Sequence, residues 1–249
     1  LTLMAVSRSE SDFDARQQRL DEAQKKFREF LTAQKNHDFA PKAKSQLANV
    51  LVERARVKIA EAERPKNAAQ KPALLKEARG FYDQALEEFK ASQEGIAAKL
   101  KSLPQNLDPE RDPKRIEYRD ELRKDYVEVQ LVQAVIMYEM AETATDKADK
   151  NKLLKQAADK YGEIYEKYRR RLAGLYALLQ QGKCYQEMGG EKNVNEALSF
   201  YQELLEQPED PLPFRILRTK PLVQAIQCWL SDDMPEKEID ADILNGGAR

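Results

Sequence analysis

Few side chains in this chain could do chemistry, and their spacing suits it poorly. His37 is the only histidine. It lies in a polar break between two helical patterns, with no Cys or carboxylate at metal-ligand spacing beside it, and reads as a turn residue. Cys184 and Cys228 both fall inside apolar helical patterns. Two reduced core thiols are expected there; a disulfide between adjacent hairpins is the alternative, although two cysteines make no framework. The carboxylate pairs Glu87-Glu88 and Asp232-Asp233 belong to an exposed helix face and to a tail. Nothing around them suggests burial that would tune them for acid–base work. The chain has neither a Gly-rich phosphate loop nor a nucleophile elbow. One basic run, Lys167-Tyr168-Arg169-Arg170-Arg171, encloses an aromatic. It closes a helical pattern, where cations suit the negative end of the helix dipole, and docking of an acidic partner is a minor second role. The tyrosines recur at core spacing. These residues lead us to expect a protein that is not an enzyme and that uses no cofactor and no metal.

The composition fits long amphipathic helices. Of 249 residues, 34% are charged and 41% hydrophobic, and only nine are glycine, few for an α/β or all-β chain. A net charge of −1 and a pI near 6.1 argue against nucleic acid as a partner, which would require an excess of Lys and Arg. No apolar run is long enough to span a membrane. The apolar opening, Leu1 to Val6, is too short for a complete signal peptide. With no initiator Met and an end at Asn245-Gly246-Gly247-Ala248-Arg249, the sequence reads as part of a longer chain. Its targeting segment would then be missing, which leaves both bacterial cytoplasm and cell envelope open.

The elements that must position any site are helices. Ser9, Ser11 and Asp12 are cap-type residues ahead of a first helix with Leu20, Ala23, Phe27 and Phe30, fading near Asn36. Pro41 opens a second helix, carrying Leu47, Ala48, Leu51, Ala55 and Ile59. A loop is expected over Pro65 to Pro72, then a third helix with Leu75, Ala78, Tyr82, Ala85 and Phe89. Pro104 to Pro113 is a turn or exposed loop. The longest helical stretch is expected from Arg115 to Asp146, and the pattern breaks around Thr145 to Asn151. A helix with Leu154, Ala157, Tyr161 and Ile164 follows. Two more, around Gly182 and Tyr201, are joined by the helix stop Gly189-Gly190. After Pro208, Pro211 and Pro213, a last helix holds Leu222, Ile226, Trp229 and Leu230, with Pro221 near its start or kinking it. Residues 1–231 are expected to form one helical-repeat domain, and 232–249 an acidic, loosely held tail.

Two templates alternate along these helices. One reads Leu20/Ala23/Phe27/Phe30, Leu75/Ala78/Tyr82/Ala85, Leu154/Ala157/Tyr161/Ile164 and Val194/Ala197/Tyr201/Leu204. Its offsets put all four residues on one helix face, with Ala where a neighbouring backbone comes close. We call its helices B-type. The other, on A-type helices, reads Ala48/Glu53/Ala55, Ala134/Glu139/Ala141 and Gly182/Glu187/Gly189, with a partial copy at Gln224-Ala225. The step from the B-type aromatic to the next small A-type residue is 21 residues at 27→48 and 161→182, but 52 at 82→134. The excess surrounds Pro104 to Pro113 and predicts an elongated, protruding hairpin around residues 90–125.

Over Leu178 to Pro208 the sequence resembles the tetratricopeptide-repeat family. Gly182, Tyr185, Ala197 and Tyr201 fall on that family's small, aromatic, small and aromatic positions, and a Pro closes the repeat. The family's period of about 34 residues is not kept elsewhere. The A-to-B steps shrink from 23 (55→78) to 16 (141→157) to 8 (189→197), so the chain looks like a divergent bacterial-type relative. The resemblance implies an all-α fold, an α-solenoid in which hairpins form a right-handed superhelix and A-type helices line a concave face. By analogy the lining residues would be Asn49, Val52, Leu131, Val135, Tyr138, Tyr176, Leu179, Lys183 and Gln186. That mixture suits a protein or peptide partner better than a charged metabolite. The Asn and Lys clamp with which some members hold a terminal carboxylate is incomplete, because Asn49 is followed at equivalent positions by Val135 and Lys183. The leading expectation is a non-catalytic interaction scaffold presenting a groove and the protruding hairpin. The alternative is a structural spacer arm of a larger envelope or multidomain protein.

Overall fold

Proline and glycine set the limits of the helices. Pro41, Pro72 and Pro113 each occupy the first turn of a helix, where a missing N–H costs no intrahelical bond. Gly189 and Gly190 take φ of +66° and +82°, ending one helix and turning the chain into the next. Asp146 caps another by accepting from the Asp149 N–H at 2.8 Å. The computed structural model describes residues 13–208, 212–231 and 233. The cap residues Ser9, Ser11 and Asp12 and nearly all of the tail lie outside them.

The described residues form α1 (Phe13–Ala33), α2 (Ala40–Ala62), α3 (Lys71–Ser102), α4 (Pro113–Glu139), α5 (Lys147–Tyr168), α6 (Leu172–Met188), α7 (Glu191–Leu205) and α8 (Leu212–Trp229), with no strand among them. They fall into two compact units, Leu1–Thr145 and Asp146–Arg249, which meet within the polar break expected near Thr145. In the first, α1 packs on α2, α2 on α3 and α3 on α4. In the second, α5 packs on α6, α6 on α7, and α8 on both α6 and α7. The B-type template accounts for much of the core. Tyr82, Tyr161 and Tyr201 are among the largest fully buried side chains, and Ala78, Ala157 and Ala197 are buried beside them.

Several element expectations need correction. The stretch expected as a loop from Pro65 is a 3₁₀ turn, Pro65–Gln70, and α3 begins at Lys71 because Pro72 is tolerated in its first turn. The helix expected to reach Asp146 stops at Glu139 and tightens into a 3₁₀ turn, Met140–Thr143, in which the Thr143 hydroxyl donates to the Met140 carbonyl at 2.7 Å. The longest helix among the described residues is therefore α3, with 32 residues.

The α3–α4 hairpin is elongated as expected, at roughly 48 Å and 40 Å per helix. Much of α3 nevertheless runs beside α2 rather than standing free. Lys99 near its far end pairs with Asp38 at 3.1 Å, and Gly95 allows it to sit against Pro41. In α8 most of the expected apolar stripe faces outward, with only Trp229 of it half-buried. Leu222, Ile226 and Leu230 are exposed, while Leu217, Pro221, Ala225 and Cys228 are buried.

Candidate functional site

Within the first unit α2 and α4, the two A-type helices, lie on either side of a cleft, with the B-type helix α3 as its floor. Its volume is about 680 Å³, within the range of ligand-sized pockets. The α2 wall is polar. Lys42, Ser45, Gln46 and Asn49 recur at i, i+3, i+4 and i+7, the spacing of one helix face. The floor is apolar, with Phe89 and Ile96. Between them Ser92 is fully buried; its hydroxyl donates to the Pro41 carbonyl at 2.7 Å and lies 2.7 Å from the Ser45 hydroxyl, which seats α3 against α2. The α4 wall mixes both characters. Leu122, Val129 and Val132 are apolar, Glu121, Asp125 and Glu128 acidic, and Tyr118 stands 40% exposed.

A chain of charged and hydroxyl groups holds the walls in place. Arg16 of α1 pairs with Glu53 of α2 at 3.0 Å, and Glu53 with Arg56 at 2.9 Å. Arg56 crosses to Glu139 of α4 in a two-point contact at 2.5 and 3.0 Å, and Glu139 accepts from the Tyr82 hydroxyl of α3 at 3.0 Å. All four helices of the unit are thereby linked. The hydrogen bond to Glu139 raises the Arg56 guanidinium above its ordinary range, and burial, with the Glu139 charge beside it, does the same to the Tyr82 phenol. Nearer the mouth Lys42 reaches Glu121 at 3.7 Å, a second tie between α2 and α4.

His37 and Phe39 stand beside the cleft at the α1–α2 turn. His37 Nδ1 accepts from the Phe39 N–H at 3.1 Å, and its ring stacks on Phe39 and meets the edge of Phe30. That bond places the ring proton on Nε2 in the neutral form. The histidine is thus a turn residue with a second role in posing Phe39, which is 62% exposed. The basic run ends α5, with Arg169 paired to Glu166 at 2.6 Å and lying over the Tyr165 ring. Both cysteines are free and buried. Among the described residues no three His, Cys, Asp or Glu side chains converge as metal ligands, and no helix is long and apolar enough to cross a membrane.

Of the nine residues proposed by analogy to line a groove, Asn49 lines the cleft. Val52 is 6% exposed and Leu179 fully buried, so both are core residues of their own units. Leu131, Val135 and Tyr138 are half-buried on α4 outside the cleft lining, and Tyr176, Lys183 and Gln186 are half-buried on α6 in the second unit. Gln186 accepts from the Tyr201 hydroxyl at 2.8 Å and braces α7.

Of the lining residues that sequence reasoning missed, Lys42 to Gln46 lie two to six residues before the A-type Ala48, and Tyr118 to Val132 two to sixteen before Ala134; others come from the α1–α2 turn and from α3. The polar face on α2 was the available signal. No protein-family model matches the chain, and no curated protein sequence matches it.

Proposed function

We propose that this protein is a non-catalytic scaffold for protein–protein interaction, built from tetratricopeptide-like hairpins, and that the cleft between α2 and α4 receives a peptide segment of its partner. The cleft itself carries the reading. An apolar floor for side chains runs beside a wall bearing Gln46 and Asn49, whose side chains have no partner among the described residues. Amides can both donate to and accept from a peptide backbone, and an apolar trough can take alternate side chains of a docked segment. The alternation of A- and B-type templates adds support, since it puts two helices of one type on either side of one of the other.

Panning a random-peptide display library on the intact chain tests this. Gln46→Trp fills the cleft without changing its charge and should abolish binding of the selected peptides while leaving the melting temperature in place. Peptides that bind both forms equally, or no selectable peptide at all, would overturn the reading.

A further inference from the structure

The charges in the cleft do not balance internally, which narrows what it can hold. Both of its lysines are occupied: Lys99 by Asp38 at 3.1 Å and Lys42 by Glu121 at 3.7 Å. The other two carboxylates, Asp125 and Glu128, have no cationic partner among the described residues. They are three residues apart on α4 and so share one face. Both line the same cavity as the apolar side chains of Val129, Val132 and Phe89. Asp125 is half-buried and Glu128 exposed, and a cleft wall carrying unmatched charge of one sign attracts the opposite sign.

We infer that the docked segment is cationic: it places a Lys or Arg side chain against Asp125 and Glu128 and lays its flanking apolar residues on the floor. An arginine satisfies the geometry best, because its planar fork can engage carboxylate oxygens of both residues at once. An acidic segment is disfavoured by the same two charges, so the pair serves for selection as well as attraction. The inference rests on the peptide-docking reading, and its test separates the two.

The probes are the peptides selected by display on the intact chain, measured against wild type, Gln46→Trp and the double variant Asp125→Asn/Glu128→Gln, which keeps shape and removes charge. We expect the selected peptides to carry Lys or Arg beside apolar residues. Their affinity for the double variant should fall roughly tenfold or more at low salt, and wild-type affinity should weaken as salt rises. Peptides lost in Gln46→Trp yet lacking a cation, or bound equally by the double variant, would overturn this inference and leave the docking reading intact. Peptides indifferent to Gln46→Trp would overturn both. Spermidine is a further arm: if it occupies the cleft while no peptide does, the cationic ligand is a small molecule and the inference fails.

Discussion

Glutamate at the fifth step of the A-type template shows how one sequence position can carry different physical roles. Glu53 is 3% exposed and is held by two arginines, whereas Glu187 is exposed, with Lys150 4.0 Å away. Glu53→Ala removes a buried carboxylate bonded to two arginines that are themselves partly exposed, one of which, Arg56, keeps Glu139, so it should cost about 1–3 kcal/mol. Glu187→Ala should cost less than about 1 kcal/mol. Urea unfolding of the two variants decides it, and equal losses would contradict the bracing role.

Gly182 is the clearest case in which the sequence pattern foresaw a contact. A Cβ there would lie 2.5 Å from Cε1 of the fully buried Tyr201 ring. Gly182→Ala should therefore cost about 1–3 kcal/mol and Gly182→Leu more, with Tyr201→Ala at about 3 kcal/mol or more. Thermal melts would show this order; indistinguishable Gly182→Ala and Gly182→Leu would refute the close approach. Gly182 was legible because a small residue interrupts an apolar stripe opposite an aromatic. Asp125 was not, since what marks it is the lack of a cationic partner among the described residues, which only the fold reveals.

At the scale of elements, α3 contains a matched pair of glycines. A Cβ at Gly80 meets nothing within 4 Å, while one at Gly95 would lie 2.8 Å from the Pro41 ring. Gly80→Ala should raise stability by about 0.5–1 kcal/mol through helix propensity alone. Gly95→Leu should lower it by about 1–3 kcal/mol by forcing α3 off the start of α2. Chemical denaturation reads both, and a gain at Gly95 would contradict the seating of α3 on α2.

Helix existence was legible from the period of the apolar residues, and the B-type template named most of its buried residues correctly. The packed face of α8 was not legible. Leu212, Ile216, Leu217, Leu222, Val223, Ile226 and Leu230 surround that helix, so apolar content chooses no side. Ala225 and Cys228 are small enough for close packing, and their face is the one that docks. The end of α4 escaped for a related reason. Nothing in its local sequence stops a helix at Glu139, and the turn is held from a distance by Arg79, which donates to the Thr143 hydroxyl at 2.8 Å.

At the scale of the whole molecule, the second unit should set an alkaline limit. Burial pushes the Cys184 thiol up to about 12 from an ordinary value of 9.0. Burial and a hydrogen bond to Glu203 push the Tyr165 phenol up to about 12 from 10.0. Both groups keep their protons to higher pH in the native unit than in the unfolded chain. What they contribute is complete below about pH 9 and is lost as pH climbs towards about 12. Circular dichroism across that window should show falling stability, reduced in Cys184→Ala but not abolished, because burial also pushes the Cys228 thiol up to about 11; a flat profile would contradict it.

The cleft is legible only at this scale, because it exists where α2 and α4 are tied across the fold by residues distant in sequence, Arg56 and Glu139 above all. The most direct measurement places benzoylphenylalanine at Val132 in the cleft, or at Ile226 on the exposed face of α8, and irradiates each protein with a biotinylated peptide selected by display. The account predicts a discrete adduct at position 132 and none at 226. An adduct at 226 alone, or at neither position, would contradict it.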